Sequence, residues 1–176
     1  MLRGSIVGLR PRVDTDVAIL HRELYEDEAT WSRAHSTPWR PIDLATEASP
    51  YAVGEPDERV EIYSVVTLDT DELIGDALLW GIDRYNRVAH VGLSLIPSVR
   101  GGGYGADVVR VLCQQGFEAL GLHRLQVDTL ADNIAMIRAA EKVGFRMEAT
   151  LRSSAMLAGE FVDEVILGLL ETEWAA

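Results

Sequence analysis

Residues 88–120 read VAHVGLSLIPSVRGGGYGADVVRVLCQQGFEAL, and this stretch decides the fold. The run from Val88 to Ile96 is predicted to be a strand, Pro97 marks the loop that follows it, and residues 100–105 include four glycines. A helix is predicted directly after the glycines, because from Val109 onwards the apolar residues follow at the spacing of one helix face. Those residues are Leu112, Cys113, Gly116, Phe117 and Leu120.

A strand, a glycine loop and a helix N-terminus in this order are typical of an anion-binding site. The first amides of a helix have no partner within the helix, and the helix dipole favours negative charge there. Glycine lets the backbone approach a ligand closely and adopt positive φ. We therefore interpret residues 100–105 as a cradle for a phosphate or pyrophosphate group, while noting that glycine-rich turns before helices are also common without a ligand.

Two known phosphate-binding motifs fit this loop poorly. A P-loop requires a lysine after its last glycine, and none follows here. In a dinucleotide-binding motif Gly101 and Gly103 would match, with Ala106 at the third glycine position. The acidic ribose ligand expected about 20 residues further on would be Glu118, which falls inside the predicted helix.

The pattern Arg-x-x-Gly-x-Gly at residues 100–105 resembles the acyl-CoA pyrophosphate loop of the GNAT superfamily of N-acetyltransferases. The segment 122–152 is similar to the next strand, helix and strand of that family. It contains Asn133, the run Glu-Lys-Val-Gly-Phe at 141–145 and the pair Leu-Arg at 151–152. Together with the tail 159–174, these features most resemble the Rim-type branch, which acetylates the N-termini of ribosomal proteins.

The resemblance implies an α/β (α+β) fold: a mixed, mostly antiparallel central sheet of about seven strands, flanked by helices on both faces and splayed at the acyl-CoA site. Because no linker or repeat is present, we expect one domain over residues 1–176. Its parts would be an acceptor-side flap at 13–57, an acyl-CoA core at 60–145 and a C-terminal hairpin at 146–170.

Local signals predict most element boundaries. The expected strands are 6–10, 60–68, 73–82, 88–96, 124–130, 146–157 and 161–170. Helices are expected to begin at the N-caps Asp14 and Asp132, and Gly144 is expected to end the second of these. Another helix is expected near residue 31, broken by Pro38 and Pro41.

By resemblance the cosubstrate is acetyl-CoA, and no metal is expected. Backbone amides of the glycine loop would hold the pyrophosphate, and main-chain groups at the end of the central strand would pair with the pantetheine arm. An amide near Leu95 would also face the developing oxyanion. Asn133 matches the family asparagine that reaches the cofactor arm, although helix capping is an equal alternative, and Arg138 is either a phosphate contact or a solvated side chain. The full predicted cofactor set is Leu95, Ile96, Arg100, Gly101, Gly102, Gly103, Tyr104, Gly105, Asn133 and Arg138.

The candidate base is His90, which stands where related enzymes often have glutamate, and a histidine titrates in a suitable range. A half-exposed strand residue is the alternative reading, and Glu160, Asp163 and His35 are weaker candidates for the base. The usual tyrosine and serine acid positions hold Ala140 and Met136, so Tyr104 or Ser154 would have to serve as acid, or water would.

The acceptor is expected to be a primary amine, on a small molecule or a protein N-terminus. Trp31, His35 and Trp39 lie in the predicted flap and are candidate acceptor contacts, with packing of the flap as the alternative for the tryptophans. Two other functional classes stay open: a CoA-binding regulatory module without turnover, and a dinucleotide-binding oxidoreductase.

The composition of the chain limits the classes of partner that it is expected to bind. A net charge of −12 and a pI near 4.7 argue against nucleic acid and anionic membranes as partners. One cysteine excludes an internal disulfide, and no apolar run reaches the length of a membrane span. The sequence therefore predicts a cytoplasmic protein, either monomeric or homodimeric.

Overall fold

The computed structural model describes residues 1–44 and 47–175. Within them one sheet holds eight strands in the order β1-β2-β3-β4-β5-β6-β8-β7. The strands are β1 (Leu2–Arg3), β2 (Val7–Pro11), β3 (Val60–Thr67), β4 (Leu73–Asp83), β5 (Val88–Leu95), β6 (Arg124–Leu130), β7 (Arg146–Leu157) and β8 (Glu160–Leu170). The helices are α1 (Asp14–Leu20), α2 (Glu28–Ala34), α3 (Tyr104–Gln114) and α4 (Ile134–Val143).

The predicted mixed fold is confirmed, with eight strands where about seven were expected. The additional strand is β1, which is only two residues long and pairs antiparallel with β2. A strand of two residues is too short to show the alternation of apolar and polar residues from which strands are predicted. Residues 21–25 and 115–119 continue α1 and α3 as π-helical turns.

The sheet forks between β5 and β6. These strands run parallel and pair only at Val88–Arg124, Ala89–Leu125 and His90–Gln126. Beyond His90, β5 stays paired with β4 as far as Leu95, while β6 stays paired with β8 along its whole length. The expected splay is therefore present, and it opens toward the carboxyl ends of both strands.

Helices cover the two faces of the sheet unequally. Helices α3 and α4 share one face, where the main core forms from buried residues such as Leu79, Val91, Leu112 and Leu125. On the other face α1 and α2 gather a smaller cluster around Leu20, Leu24, Trp31 and Tyr51. Strand residues that point to this second face beyond the reach of α1 and α2 are polar or partly exposed, which leaves an open surface beside the fork.

The start of α1 differs from the prediction in one respect. Its N-cap is Val13, and Asp14 is the first helical residue. The cap arises because Asp16, in the third helical position, reaches back to accept a hydrogen bond from the Val13 backbone at 3.1 Å. The same buried carboxylate accepts two bonds from Arg10, at 2.6 and 2.8 Å, and one from Ser64 at 2.7 Å.

The cap of α1 is thus one residue earlier than predicted, whereas the cap of α4 is one residue later. Asn133, and not Asp132, is the N-cap, and its side-chain oxygen accepts from the Met136 backbone at 3.3 Å. Asp132 is instead paired with Arg33 of α2. Gly144 ends the helix in the left-handed region with φ of 112°, as predicted.

In the part of the chain that is described, none of the helices is both long and apolar enough to span a bilayer.

The Asp16 cluster generates a prediction about stability in acid. Burial would raise the pKa of Asp16, but the bonds from Arg10, Ser64 and Val13 outweigh it and lower that pKa from 3.8 to about 2. A carboxylate with a lowered folded-state pKa stabilises the protein above its unfolded-state pKa, and this stabilisation is lost as pH falls through the folded value. We expect Asp16→Asn to lower the free energy of unfolding by about 2 kcal/mol at neutral pH. The difference from wild type should shrink between about pH 4 and about pH 2.

Urea denaturation at several pH values measures this difference. Asp14→Asn is the matched control, since Asp14 is exposed on the same helical turn. A deficit for Asp16→Asn that stays constant down to pH 2 would contradict the assignment.

Candidate active site

The glycine loop has the conformation that the sequence predicted. Gly101 has φ of 84° and Gly103 has φ of 86°, and Gly103 is the N-cap of α3. A Cβ atom on either residue would meet no heavy atom within 4 Å apart from chain neighbours, so the space beside these two glycines is open. The first amides of α3 therefore point into free space beside the carboxyl end of β5.

Asp107 anchors the helix that carries this loop. Its carboxylate, in the first turn of α3, accepts backbone hydrogen bonds from Ser5, Ile6 and Val7 at 3.0, 2.8 and 3.0 Å. Asp107 is 5% exposed. The start of α3 is thus tied to the segment before β2, which keeps the loop in a fixed place relative to the sheet.

The edge of β5 that faces the fork carries backbone groups without a neighbouring strand. The Ile96 N–H donates to Ile74 of β4 at 2.9 Å. Because successive residues of a strand alternate, the backbone groups of Leu95 and Leu93 point the other way, into the gap. Leu95 was predicted as a main-chain contact, whereas Leu93 was missed because only the β4–β5 register shows which residues face the gap.

Arg100 and helix α2 make side-chain contacts at the carboxyl ends of β5 and β6. Arg100 Nε donates to the Leu95 carbonyl at 2.9 Å, and its Nη2 lies 3.5 Å from Thr30 Oγ1 on α2. Arg33, one turn further along α2, pairs with Asp132 beyond the end of β6 at 2.7 Å. Side chains of α2 therefore contact residues just beyond the ends of both β5 and β6.

His90 is the last residue of β5 that pairs with β6, at the point where the two strands separate. Its Nδ1 lies 2.5 Å from Asp128 Oδ2 of β6, and its ring stacks on Trp80 with centroids 4.1 Å apart. Both His90 and Asp128 have side chains that are 27% exposed. Burial would raise the pKa of Asp128, but hydrogen bonds from His90 and Gln126 outweigh it and lower that pKa below its ordinary value. Asp128 was not among the predicted site residues, since nothing local in the sequence pairs it with His90.

The three predicted acceptor contacts lie together in the flap. Trp31 is buried, stacks on His35 with centroids 3.5 Å apart, and donates its indole N–H to Thr37 at 3.1 Å. Trp39 donates to the Tyr25 carbonyl at 2.8 Å. Burial lowers the pKa of His35. These bonds fit the packing alternative for the tryptophans, and their contact with an acceptor stays a prediction.

The other predicted residues are distributed around the fork. Asn133 also donates to Thr129 at 2.9 Å, and Arg138 is exposed on α4. Ser154 is exposed and donates to the Leu151 carbonyl at 3.0 Å. It lies on β7, with β8 between it and β6, so two strand spacings of roughly 10 Å separate it from the edge of the fork.

Three remaining residues of the predicted cofactor set lie around the loop: Ile96, which is 7% exposed and belongs to the smaller core, Gly102, and Tyr104 at the first position of α3. The weaker base candidates lie on the C-terminal hairpin. Glu160 is exposed, and Asp163 accepts from the Ser153 backbone at 2.8 Å.

The model of the family described as an acetyltransferase (GNAT) domain matches residues 7–146. The chain belongs to the GNAT acetyltransferase family. It is 29% identical over 113 residues to "Uncharacterized N-acetyltransferase p20" of Bacillus licheniformis, with 64% of each protein covered, so the match spans just under two thirds of that relative. It is 26% identical over 179 residues to "Probable N-acetyltransferase YjcK" of Bacillus subtilis, with 98% of each covered.

Two solved GNAT structures have the same fold. A spermidine N-acetyltransferase from Vibrio cholerae, in complex with CoA and spermine, has a TM-score of 0.83 at 21% identity and covers 95% of this chain and 96% of its own. RimJ from Mycobacterium smegmatis, in complex with CoA-disulfide, has a TM-score of 0.77 at 19% identity, covering 95% and 83%. The predicted GNAT membership is confirmed by the family match.

Two positions depart from the expected GNAT pattern. Ala140, where many family members have tyrosine, is fully buried on the inner side of α4, and Met136, where the ribosomal branch often has serine, is half-buried in the same helix. Neither side chain carries a proton to give.

Across residues 1–44 and 47–175, no three or more histidine, cysteine, aspartate or glutamate side chains are grouped so that they could hold a metal ion.

The open loop leads to a prediction about cofactor affinity. Gly103→Val would place a side chain in the open space beside the loop and force a non-glycine residue into the left-handed region. We expect acetyl-CoA to raise the melting temperature of wild type but not of Gly103→Val. Gly159→Val is the matched control, because Gly159 also has φ of 86° and open surroundings but lies in the β7–β8 turn.

Both substitutions should lower intrinsic stability by about 1–2 kcal/mol. Equal acetyl-CoA shifts for the two variants in a thermal-shift assay would show that the loop does not hold the cofactor.

Proposed function

We propose that this chain transfers an acetyl group from acetyl-CoA to a primary amine by direct attack on the thioester. The observation that carries the proposal is the coincidence of two features at one end of the sheet. The open glycine loop at the N-terminus of α3 lies at the same end as the gap between β5 and β6. A phosphate held at the loop would let an attached arm run along the unpaired edge of β5.

The residues around the loop fit the diphosphate of CoA. The amides at the start of α3 are oriented donors, and a Cβ at Gly101 or Gly103 would meet only open space, whereas the Gly102 amide is already bonded to the Val99 carbonyl at 3.3 Å. Arg100 adds a positive charge beside the loop. The outward backbone groups of Leu93 and Leu95 match an extended amide-bearing chain, which would pair with β5 as another strand does. When bound, acetyl-CoA supplies the activated acetyl group, and every other contribution comes from the protein.

Two amides are suited to stabilising the negative charge that develops on the thioester oxygen. The N–H groups of Leu93 and Leu95 both point into the gap, as the β4–β5 register requires. Removal of one such donor in other enzymes slows turnover by about 10²–10³-fold. Leu93 lies three residues from His90, roughly 10 Å along the strand, whereas Leu95 lies roughly 16 Å away.

His90 is the proposed acceptor of the amine proton. An amine is mostly protonated at neutral pH and must lose a proton before it attacks a carbonyl. Because His90 stands roughly 10 Å from the nearer amide, we propose that the proton travels through water between the amine and the imidazole. The leaving thiolate needs no protein acid, since a thiol pKa near 8.5 allows it to leave unprotonated.

The acceptor is proposed to be cationic. The chain carries a net charge of −12, which would attract an ammonium group at long range. One structural neighbour is a spermidine N-acetyltransferase that was solved with spermine, and another is RimJ. We therefore propose two acceptor types to compare, a polyamine and the N-terminus of a protein.

Release of free thiol from acetyl-CoA tests the function directly. The panel contains spermidine, a peptide with a free N-terminus, an aminoglycoside and a buffer blank. Cys113, the only cysteine, is buried and burial raises its pKa, so the folded protein should contribute little thiol signal. We expect thiol release to depend on one class of amine. Thermal stabilisation by acetyl-CoA without thiol release in the presence of any amine would favour the alternative of a CoA-binding module without turnover. Ala140 and Met136, which stand where proton-donating side chains were expected, are the reason for considering that alternative.

The proposed base gives a second kinetic prediction. We expect His90→Ala to lower kcat by about 10²-fold near neutral pH. The loss should shrink at high pH, where the amine is already neutral without help. His123→Ala is the control, because His123 is exposed and lies just before β6, at the closed end of the fork. Wild-type rates for His90→Ala across the pH range would remove His90 from the reaction.

A further inference from the structure

His90 is held from three directions at the point where the fork begins. The Trp80 indole lies nearly parallel to its ring, with an interplanar angle of 24°. Gly81 has φ of 61°, and a Cβ there would lie 3.2 Å from the imidazole Cδ2, so this glycine lets the β4 backbone approach the ring closely. Asp128 completes the set from β6 at 2.5 Å. The imidazole therefore has one edge bound to protein, and its Nε2 edge has no partner among the bonds of the described residues.

Asp128 is itself the end of a hydrogen-bonded row. Gln126 Nε2 donates to Asp128 Oδ1 at 2.9 Å, and Gln126 Oε1 accepts from Arg124 Nη2 at 3.1 Å. Arg124 in turn donates to Glu148 Oε1 of β7 at 2.9 Å. Arg124, Gln126 and Asp128 alternate along β6, so all three side chains lie on the same face of the sheet. Both carboxylate oxygens of Asp128 are therefore hydrogen-bonded, Oδ1 to Gln126 and Oδ2 to His90.

Gly168 of β8 makes room for this row. A Cβ at Gly168 would lie 2.4 Å from Glu148 Oε1 and 2.7 Å from Arg124 Nη1. The ion pair between β6 and β7 therefore passes directly over the backbone of β8, and a larger residue at position 168 would displace it. Gly168 is thus needed for the row to reach from β7 to His90.

The chemistry of the pair determines where the imidazole proton lies. The lowered pKa of Asp128 keeps it a carboxylate at neutral pH. A carboxylate can only accept hydrogen bonds, so a neutral His90 bonded to it through Nδ1 must carry its proton on Nδ1. Nε2 then holds the free lone pair and is the nitrogen able to accept a proton.

We infer that Asp128 is a positioning residue that fixes the Nδ1–H tautomer of His90 and so leaves Nε2 as the nitrogen that can accept a proton. The catalytic consequence rests on the proposed acetyl transfer, whereas the tautomer does not. In the reaction, the amine would give one proton through water to Nε2 and attack the thioester carbon. The C–S bond would break, and the second proton of the nitrogen would pass to the departing thiolate. Asp128 would stabilise the imidazolium that carries the first proton. The proton would leave to solvent after product release.

The tautomer can be measured without any turnover. Histidine labelled with ¹⁵N reports by NMR which ring nitrogen is protonated, and the His90 signals are assigned as those lost in His90→Gln. We expect the neutral form in wild type to carry its proton on Nδ1. Asp128→Asn and Asp128→Ala should show a mixture of tautomers, and Asp128→Glu should restore the wild-type form in part. Glu148→Gln, which changes the far end of the row, should keep the wild-type tautomer.

Steady-state kinetics give the second readout. We expect kcat to fall about tenfold or more in Asp128→Asn with the KM for acetyl-CoA unchanged, and to recover in part in Asp128→Glu. A neutral wild-type His90 protonated on Nε2, or an unaltered tautomer in both Asp128→Asn and Asp128→Ala, would overturn the inference. If the Asn and Ala variants do not fold, the wild-type and Asp128→Glu spectra decide it.

The two hypotheses fail in different ways. The predicted tautomer without acetylation of any amine would count against the proposed function and leave the role of Asp128 intact. Amine acetylation by a protein whose neutral His90 carries its proton on Nε2 would support the proposed function and overturn the inferred role of Asp128.

Discussion

The unpaired edge of β5 is the constraint on which the rest of this structure depends. Strand β5 pairs with β4 along its length but with β6 for only three residues. Beyond that point, apart from the Leu95 carbonyl that Arg100 binds, the gap-facing backbone groups of β5 have no neighbouring strand. A buried donor without a partner costs about 1–3 kcal/mol. A protein that keeps such an edge needs rigid surroundings that hold the two strands apart.

The main core supplies that rigidity on one face. Helix α3 links β5 to β6 as a parallel crossover, and it packs with α4 against buried residues of the central strands. Asp107 ties the first turn of α3 to the chain before β2, which places the glycine loop against the same framework. The end of the fork that carries the glycine loop is therefore held by the same framework as the core, and a cofactor bound as proposed would meet a preformed site.

The opposite face has a different chemistry. Between the α1–α2 cluster and the β7–β8 hairpin, the strands present a polar surface with His90 and Asp128 at the vertex of the fork. Helix α2 bridges the open end through Arg33 and through the contact of Thr30 with Arg100. Under the proposed function, the gap lies between the side that would bind the phosphates and the side that would bind the acceptor, as transfer between two substrates requires.

Local signals in the sequence predicted helices α1 to α4 and every strand except β1. The bounds of β6 and β7 match the prediction, and Gly103 and Gly144 have the positive φ that their positions required. Caps were less accurate, since Asp14 and Asp132 were each placed one residue from the true cap. Neighbouring polar residues compete for such a role, and the choice between Asp132 and Asn133 was decided by the distant Arg33.

By itself, the sequence determined the order of strands and helices, the glycine loop before α3 and the family resemblance, because these depend on residues close together in the chain. Only the tertiary structure decided what meets across the fork. The pairing of His90 with Asp128, 38 positions apart, depends on the parallel register of β5 and β6. The exposure of Leu93 to the gap depends on the antiparallel register of β4 and β5. Registers between distant strands are set by packing of the whole core, and no local pattern specifies them.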